Sequence, residues 1–149
     1  MRMPKCPPLI ALVLIILEVI LHYFLPIYRL FPIPLNYFLG VLIFLLGMLS
    51  AITGLGAFRK NNVNFRPGTR SRILVTKGIY GYSRNPMYLG ILLVLTGIAV
   101  FLGTLSPFIS PVLLFLFMNY FMMPFEERLL EKRFGKSYLD YKRKVRRWI

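Results

Sequence analysis

The chain has 149 residues, 57% of them hydrophobic, and a formal net charge of +14. With a mean hydropathy of +0.65, this composition is typical of a membrane protein and argues against an ordinary soluble enzyme. The basic residues lie between and after apolar runs without any nucleic-acid motif, so we expect no nucleic-acid partner. The single Cys6 excludes an internal disulfide, and His22 has no partner at metal-ligand spacing, so we predict no metal site.

Four apolar runs predict four membrane-spanning helices, over about residues 8–25, 35–58, 86–105 and 107–125. Glu18 lies inside the first run, where a carboxylate is costly and should face the bundle interior or an aqueous pocket. A protonated structural role and a role near a substrate both stay open for it. The second run carries a glycine every seven residues, a pattern that favours close helix packing, at Gly40, Gly47 and Gly54.

Residues 59–85 form a polar connection that is basic and contains no acid, which predicts a cytoplasmic location. Both termini are then cytoplasmic, and the short 26–34 loop lies outside. After residue 126 apolar residues recur at steps of three and four, from Leu130 to Trp148, with basic residues between them. This predicts an amphipathic helix over 126–147 that lies on the membrane surface and binds anionic lipid headgroups, with a bend or break at Gly135.

The predicted fold class is therefore all-α. We expect one polytopic integral membrane domain over residues 1–149, with four spans and an interfacial C-terminal helix. The third and fourth spans should form a tight hairpin, because Pro86 suits a helix start and Ser106-Pro107 a reversal. The two legs of this hairpin are equally long, which returns Glu126 and Glu127 to the depth of Arg84.

The mouth of this hairpin is where chemistry could take place. It combines Arg84, Tyr80, Tyr88 and the glutamate pair with the N–H groups at the start of the third span. Such N–H groups attract carboxylate or phosphate, a glutamate attracts an amine, and tyrosines stack bases or face a cation. The set suits a zwitterion with an aromatic part and a positive centre, such as S-adenosylmethionine. Alternatively, these polar residues only anchor and solvate the span ends.

The sequence resembles the isoprenylcysteine carboxyl methyltransferases, and related membrane phospholipid methyltransferases share much of the pattern. The family signature is Arg-His-Pro-x-Tyr, a hydrophobic span and then Glu-Glu. The resemblance covers about residues 64–147 and is carried by the segments 74–80, 84–90, 126–127 and 134–141. It implies binding of S-adenosylmethionine at the cytoplasmic face.

Carried over by position, the implied cofactor-binding residues are Leu74, Val75, Tyr80, Asn85, Pro86, Met87, Tyr88 and Glu126. Glu126 would bind the amino group of the cofactor, with Glu127 supporting it. Glu127 and Arg84 are the predicted catalytic residues. The expected acceptor is a lipid-like small molecule or a prenylated cysteine.

The chain departs from the family pattern at two places. Asn85 replaces the signature histidine, which would matter if that imidazole moves protons. The second departure concerns residues 120–123, which contain no cation. In the pattern that this sequence resembles, the eukaryotic prenylcysteine enzymes have an arginine about one turn before the glutamates. A prenylcysteine carboxylate is therefore not assured as the acceptor.

The function that the sequence predicts is an S-adenosylmethionine-dependent membrane methyltransferase. It would act on a carboxylate, thiol or amine of a lipid-like or prenylated acceptor. One alternative is an NADPH-dependent membrane reductase of the sterol reductase type. Another is a non-catalytic adaptor whose basic tail binds anionic lipid. The acceptor and the oligomeric state stay open.

Overall fold

The computed structural model describes residues 7–60 and 73–149. The structure within these ranges is all-α, as predicted. Its helices are α1 (Pro7–Phe24), α2 (Leu35–Lys60), α3 (Pro86–Leu102), α4 (Ile109–Phe117), α5 (Met123–Phe134) and α6 (Lys136–Lys144). A 3₁₀ turn over Gly78–Gly81 precedes α3, another over Ser106–Phe108 precedes α4, and a π-helical turn over Met118–Met122 joins α4 to α5.

Two helices of the described chain are long and apolar enough to cross a bilayer, Leu35–Arg59 and Ser106–Phe134. The other two apolar helices, Leu9–Phe24 and Pro86–Leu102, are shorter. The count of four spans therefore stays a prediction. So does the orientation, because residues 1–6 and 61–72, which carry many of the basic side chains that predicted it, lie outside the described ranges.

The seam between α2 and α3 is built from small residues. A Cβ atom at Gly47 would lie 2.7 Å from the backbone nitrogen of Val94, and one at Gly90 would lie 2.6 Å from that of Ala51. Gly40 meets the α3 backbone at Phe101 in the same way, whereas a Cβ atom at Gly54 would meet the Met87 side chain. The glycine spacing thus reflects close helix packing, as predicted, and it fixes α3 as the central helix against which the candidate site is built.

A small polar cluster lies at the end of the hairpin opposite the glutamates. α3 ends at Leu102, earlier than predicted, because Gly103 turns the chain with a φ of +77°. Ser110 and Ser106 donate hydrogen bonds to the carbonyls of Leu14 and Leu21 in α1. Glu18 lies between those two carbonyls along α1 and is fully buried. Neither of its carboxyl oxygens has a hydrogen-bond partner among the described residues.

The helix of the predicted fourth span does not end at residue 125, the predicted boundary. It runs through the π-helical turn into α5 and ends at Phe134, because Gly135 adopts a φ of +51°. The C-terminal helix predicted over 126–147 is therefore two helices, and residues beyond Lys144 leave helical geometry. Tyr138, Tyr141 and Val145 pack in one cluster with Leu74, Leu130 and Phe134, which folds α6 back against the 73–85 segment.

Candidate active site

The mouth of the α3–α5 hairpin brings the predicted tyrosine and glutamate together. Tyr88, in the first turn of α3, donates a hydrogen bond of 2.6 Å to Oε1 of Glu126. Glu126 lies in the first turn of α5 and is half-buried, whereas Tyr88 is buried. The hairpin geometry expected from equal legs is therefore present, and it holds one carboxylate in a defined orientation.

The neighbouring Glu127 has a different environment, because cations surround it. Arg84 Nη1 lies 3.1 Å from its Oε1, and Lys142 Nζ lies 3.3 Å from its Oε2. The Arg147 guanidinium donates two hydrogen bonds to it, of 2.9 Å to Oε1 and 3.1 Å to Oε2. Both carboxylate oxygens are therefore engaged by charged partners. The catalytic role predicted for Glu127 and Arg84 stays a prediction.

Residues 145–149, hereafter the C-terminal tail, lie against the loop before α3. The backbone N–H of Arg84 donates to the carbonyl of Arg146 over 3.1 Å, and the Asn85 side chain donates to the carbonyl of Arg147 over 3.1 Å. The Asn85 N–H donates to Ser83. These bonds occupy the backbone N–H groups of residues 84 and 85, so the donors expected at the helix start begin only at Met87, since Pro86 has none.

The C-terminal tail also contacts the π-helical turn through Asn119. Oδ1 of Asn119 accepts hydrogen bonds from Arg147 Nη1 over 3.2 Å and from Trp148 Nε1 over 3.3 Å. The Trp148 ring stacks on Phe115 with 5.3 Å between centroids. π-Helical turns inside α-helices are frequent at functional sites, and this one aims Asn119 at the tail. Sequence reasoning missed Arg147 and Asn119, because no residue pattern indicates that the tail folds back onto the fourth span.

Tyr80 lies in the 3₁₀ turn and is buried beside the Phe58 ring, with 5.3 Å between centroids. Its carbonyl accepts a hydrogen bond of 2.7 Å from Tyr141, which joins α6 to the mouth. Burial raises the pKa of Tyr80, and the nearby Tyr141 and Glu126 raise it further. Burial also raises the pKa of Tyr141 to about 12, so both phenols stay protonated at neutral pH.

Two of the cations around Glu127, Lys142 and Arg147, stay charged as well. The pKa of Lys142 lies above its ordinary value, chiefly because of its hydrogen bond to Glu131 and also because of its contact with Glu127. The hydrogen bonds that Arg147 donates to Glu127 raise the pKa of its guanidinium. Lys142 and Arg147 therefore remain positively charged at neutral pH, while the phenols of Tyr80 and Tyr141 remain protonated.

Not every predicted site residue faces Glu126. Pro86 is buried and its carbonyl accepts a hydrogen bond of 2.8 Å from Ser50, while Met87 lies against Gly54 of α2. Leu74 packs with Tyr138 and Tyr141, and Val75 is half-buried in the same segment. The structure therefore groups Tyr80, Tyr88 and Glu126 at the mouth, whereas the other predicted residues lie in the segment that packs against α2, α6 and the C-terminal tail.

Comparison with known proteins identifies the family of this chain. The profile of the phospholipid methyltransferase family matches residues 35–137, well over half of the chain. The chain belongs to the phospholipid methyltransferase family. The family match starts with α2 and ends in α6, so it includes the glycine seam and every glutamate and tyrosine of the mouth.

Two relatives are similar to parts of the chain. The chain is 40% identical over 63 residues to an uncharacterized protein of Haemophilus influenzae, covering 42% of this chain and 100% of that protein. It is 37% identical over 79 residues to the protein-S-isoprenylcysteine O-methyltransferase of Schizosaccharomyces pombe, covering 51% of this chain and 32% of that enzyme.

One solved structure shares the fold. It is a eukaryotic intramembrane Ras methyltransferase, isoprenylcysteine carboxyl methyltransferase, with a TM-score of 0.69 and 24% identity. The match covers 95% of this chain and 50% of that one. This chain thus spans about half of the solved methyltransferase and about a third of the yeast enzyme, and it shares the fold of that intramembrane methyltransferase.

Proposed function

We propose that the protein is an S-adenosylmethionine-dependent methyltransferase that acts on a lipid-like or prenylated acceptor at the cytoplasmic membrane face. The observation that carries the proposal is the separation of the two glutamates. Glu127 is surrounded by cations, whereas Glu126 has a hydrogen bond from Tyr88 and is half-buried at the mouth. A carboxylate so placed fits the ammonium group of the cofactor.

The residues around Glu126 fit the other parts of the cofactor. The ring of Tyr80 offers an aromatic surface for the adenosyl group or the sulfonium. Tyr88 fixes the carboxylate that binds the amino group. Leu74, Val75, Asn85, Pro86 and Met87 form the walls of this site in the proposal, mostly by holding the 73–88 segment against α2 and α6.

When bound, S-adenosylmethionine supplies a methyl group on a positively charged sulfur, so an acceptor atom bonds to the methyl carbon as the carbon–sulfur bond breaks and its electron pair moves to sulfur. The protein mainly aligns the two partners and excludes water, because the methyl group is already activated. A carboxylate acceptor loses no proton. Glu127 and Arg84 act in this proposal as positioning groups that fix the mouth, since both oxygens of Glu127 are engaged.

The acceptor would enter from the bilayer and the cofactor from the cytosol. Tyr120 and Phe121 of the π-helical turn are exposed. In this proposal they lie on the membrane side of the mouth, beside the apolar acceptor. In this proposal both termini are cytoplasmic. The exposed basic residues of α5 and α6 then lie near anionic lipid headgroups.

The test is cofactor binding to purified protein in detergent. We expect S-adenosylhomocysteine to raise the melting temperature and Glu126→Ala to abolish this shift. Asp140→Ala, which removes a half-exposed carboxylate on α6, should retain it. NADPH serves as the probe of a reductase. A shift with NADPH alone, or salt-sensitive liposome binding without any cofactor binding, would favour one of the alternative functions and contradict this one.

A further inference from the structure

The cations around Glu127 form a cluster that we call the basic triad, namely Arg84, Lys142 and Arg147. Arg84 comes from the loop before α3, Lys142 from α6 and Arg147 from the C-terminal tail. Because three separate elements contribute to it, the triad exists only in the folded chain. It surrounds Glu127, which is adjacent in sequence to Glu126, the residue proposed to hold the cofactor, so the inference below rests on that proposed function.

The charges of the triad are not balanced by the carboxylates that contact it. Glu127 contacts all three cations, and Glu131 contacts Lys142 over 2.6 Å. Among the described residues no other acid lies within ion-pair distance of these cations. Three positive charges against two negative ones leave one positive charge over in a partly buried site, where an uncompensated charge is costly.

Arg84 provides the second, independent observation. Its side chain is 8% exposed, and its Nη1 donates to Tyr138 and to Glu127. Its Nε is buried and has no hydrogen-bond partner among the described residues. Buried donors on charged groups are nearly always paired, so this N–H indicates a missing acceptor at the triad.

The triad is also reachable from solvent, because the side chains of Lys142 and Arg147 are 37% and 30% exposed. Guanidinium groups suit carboxylate and phosphate oxygens in particular. We propose that the basic triad binds an anionic oxygen group, a carboxylate or a phosphate, next to the methyl-transfer site. Two sources of this group are open to test: the headgroup of the acceptor and the amino-acid carboxylate of the cofactor.

The experiment compares Arg147→Gln and Lys142→Gln with a matched control, Arg143→Gln. Arg143 also lies on α6 but is 80% exposed, and its ion-pair partner is Asp140. Binding is measured for S-adenosylhomocysteine, 5′-methylthioadenosine (which lacks the amino-acid part), N-acetyl-S-farnesylcysteine, the carboxamide of that compound, and dodecyl phosphate. Melting temperature of each unliganded variant reports on folding.

If the acceptor supplies the anion, Arg147→Gln and Lys142→Gln should lower the affinity for N-acetyl-S-farnesylcysteine or dodecyl phosphate by about tenfold. The affinity for the carboxamide should not change. If the cofactor supplies the anion, both variants should lower the affinity for S-adenosylhomocysteine by about tenfold. The affinity for 5′-methylthioadenosine should not change. The control Arg143→Gln should bind every probe with the affinity of the wild type.

The proposal is wrong if the triad variants fold and bind every probe like the wild type, or if they lose anionic and neutral probes alike. A wild type that binds farnesylcysteine or dodecyl phosphate through the triad but no S-adenosylhomocysteine would contradict the methyltransferase proposal alone. The two proposals can therefore fail separately.

Discussion

Glu126 and Glu127 are adjacent in sequence, yet they lie in two different regions of the molecule. The region around Glu126 faces α3, where the carboxylate has a single described hydrogen bond, from Tyr88. The region around Glu127 faces α6 and the C-terminal tail, where three cations surround the carboxylate. Successive residues of a helix point about 100° apart, so one helical step is enough to separate the two environments.

The two environments predict a structural role for Glu127 and a ligand-binding role for Glu126. A carboxylate with both oxygens engaged by cations holds elements together but has little capacity left for a ligand. A half-buried carboxylate with one phenol donor is oriented and still able to bind an ammonium group. We therefore expect substitutions at Glu127 to affect mainly stability, and substitutions around Glu126 to affect mainly ligand binding.

The largest expected effect is that of Glu127→Gln on stability. Three cations would lose their common counter-ion, so the free energy of unfolding should fall by about 3 kcal/mol. Denaturant titration of the protein in detergent measures this. The matched control is Glu131→Gln, whose half-exposed carboxylate contacts only Lys142. It should cost less than about 1 kcal/mol. Equal losses of stability in the two variants would contradict the structural role assigned to Glu127.

A smaller effect is expected for Tyr88→Phe, which deletes the donor to Glu126. Stability should fall by about 1 kcal/mol, the usual net value of one hydrogen bond. Binding of S-adenosylhomocysteine should weaken by about tenfold, because the carboxylate loses its fixed orientation. Calorimetric titration measures the affinity, and Tyr82→Phe serves as the control because Tyr82 is 81% exposed. Unchanged affinity in Tyr88→Phe would mean that the ligand does not use an oriented Glu126.

The smallest effect is expected for Glu18→Leu. Glu18 is a third carboxylate, and its oxygens have no hydrogen-bond partner among the described residues. Replacing an unpaired buried acid with an apolar side chain of similar size should change stability by less than about 1 kcal/mol, or raise it. Methyl transfer should persist, since Glu18 lies near the opposite end of the hairpin from Glu126. A loss as large as that of Glu127→Gln would show that Glu18 has partners beyond the described residues.

Several parts of this arrangement could be predicted from residue patterns. The glycine spacing indicated a close seam, Pro86 marked the start of α3, and equal legs placed Glu126 level with Tyr88. Each of these features depends on local geometry, on the repeat of a helix or on the conformational limits of one residue type. The C-terminal tail could not be predicted in this way, because nothing in the order of Arg147 and Trp148 specifies which helix they meet.

The sequence alone determined the membrane class, the helical hairpin and the meeting of two polar clusters at its mouth, since apolar run length and helical rise are intrinsic to the chain. The tertiary structure decided which glutamate is neutralised. That outcome depends on three segments far apart in sequence, the loop at Arg84, helix α6 and the tail at Arg147, arriving at one carboxylate. Contacts between distant segments are set by packing of the whole chain, and no local pattern encodes them.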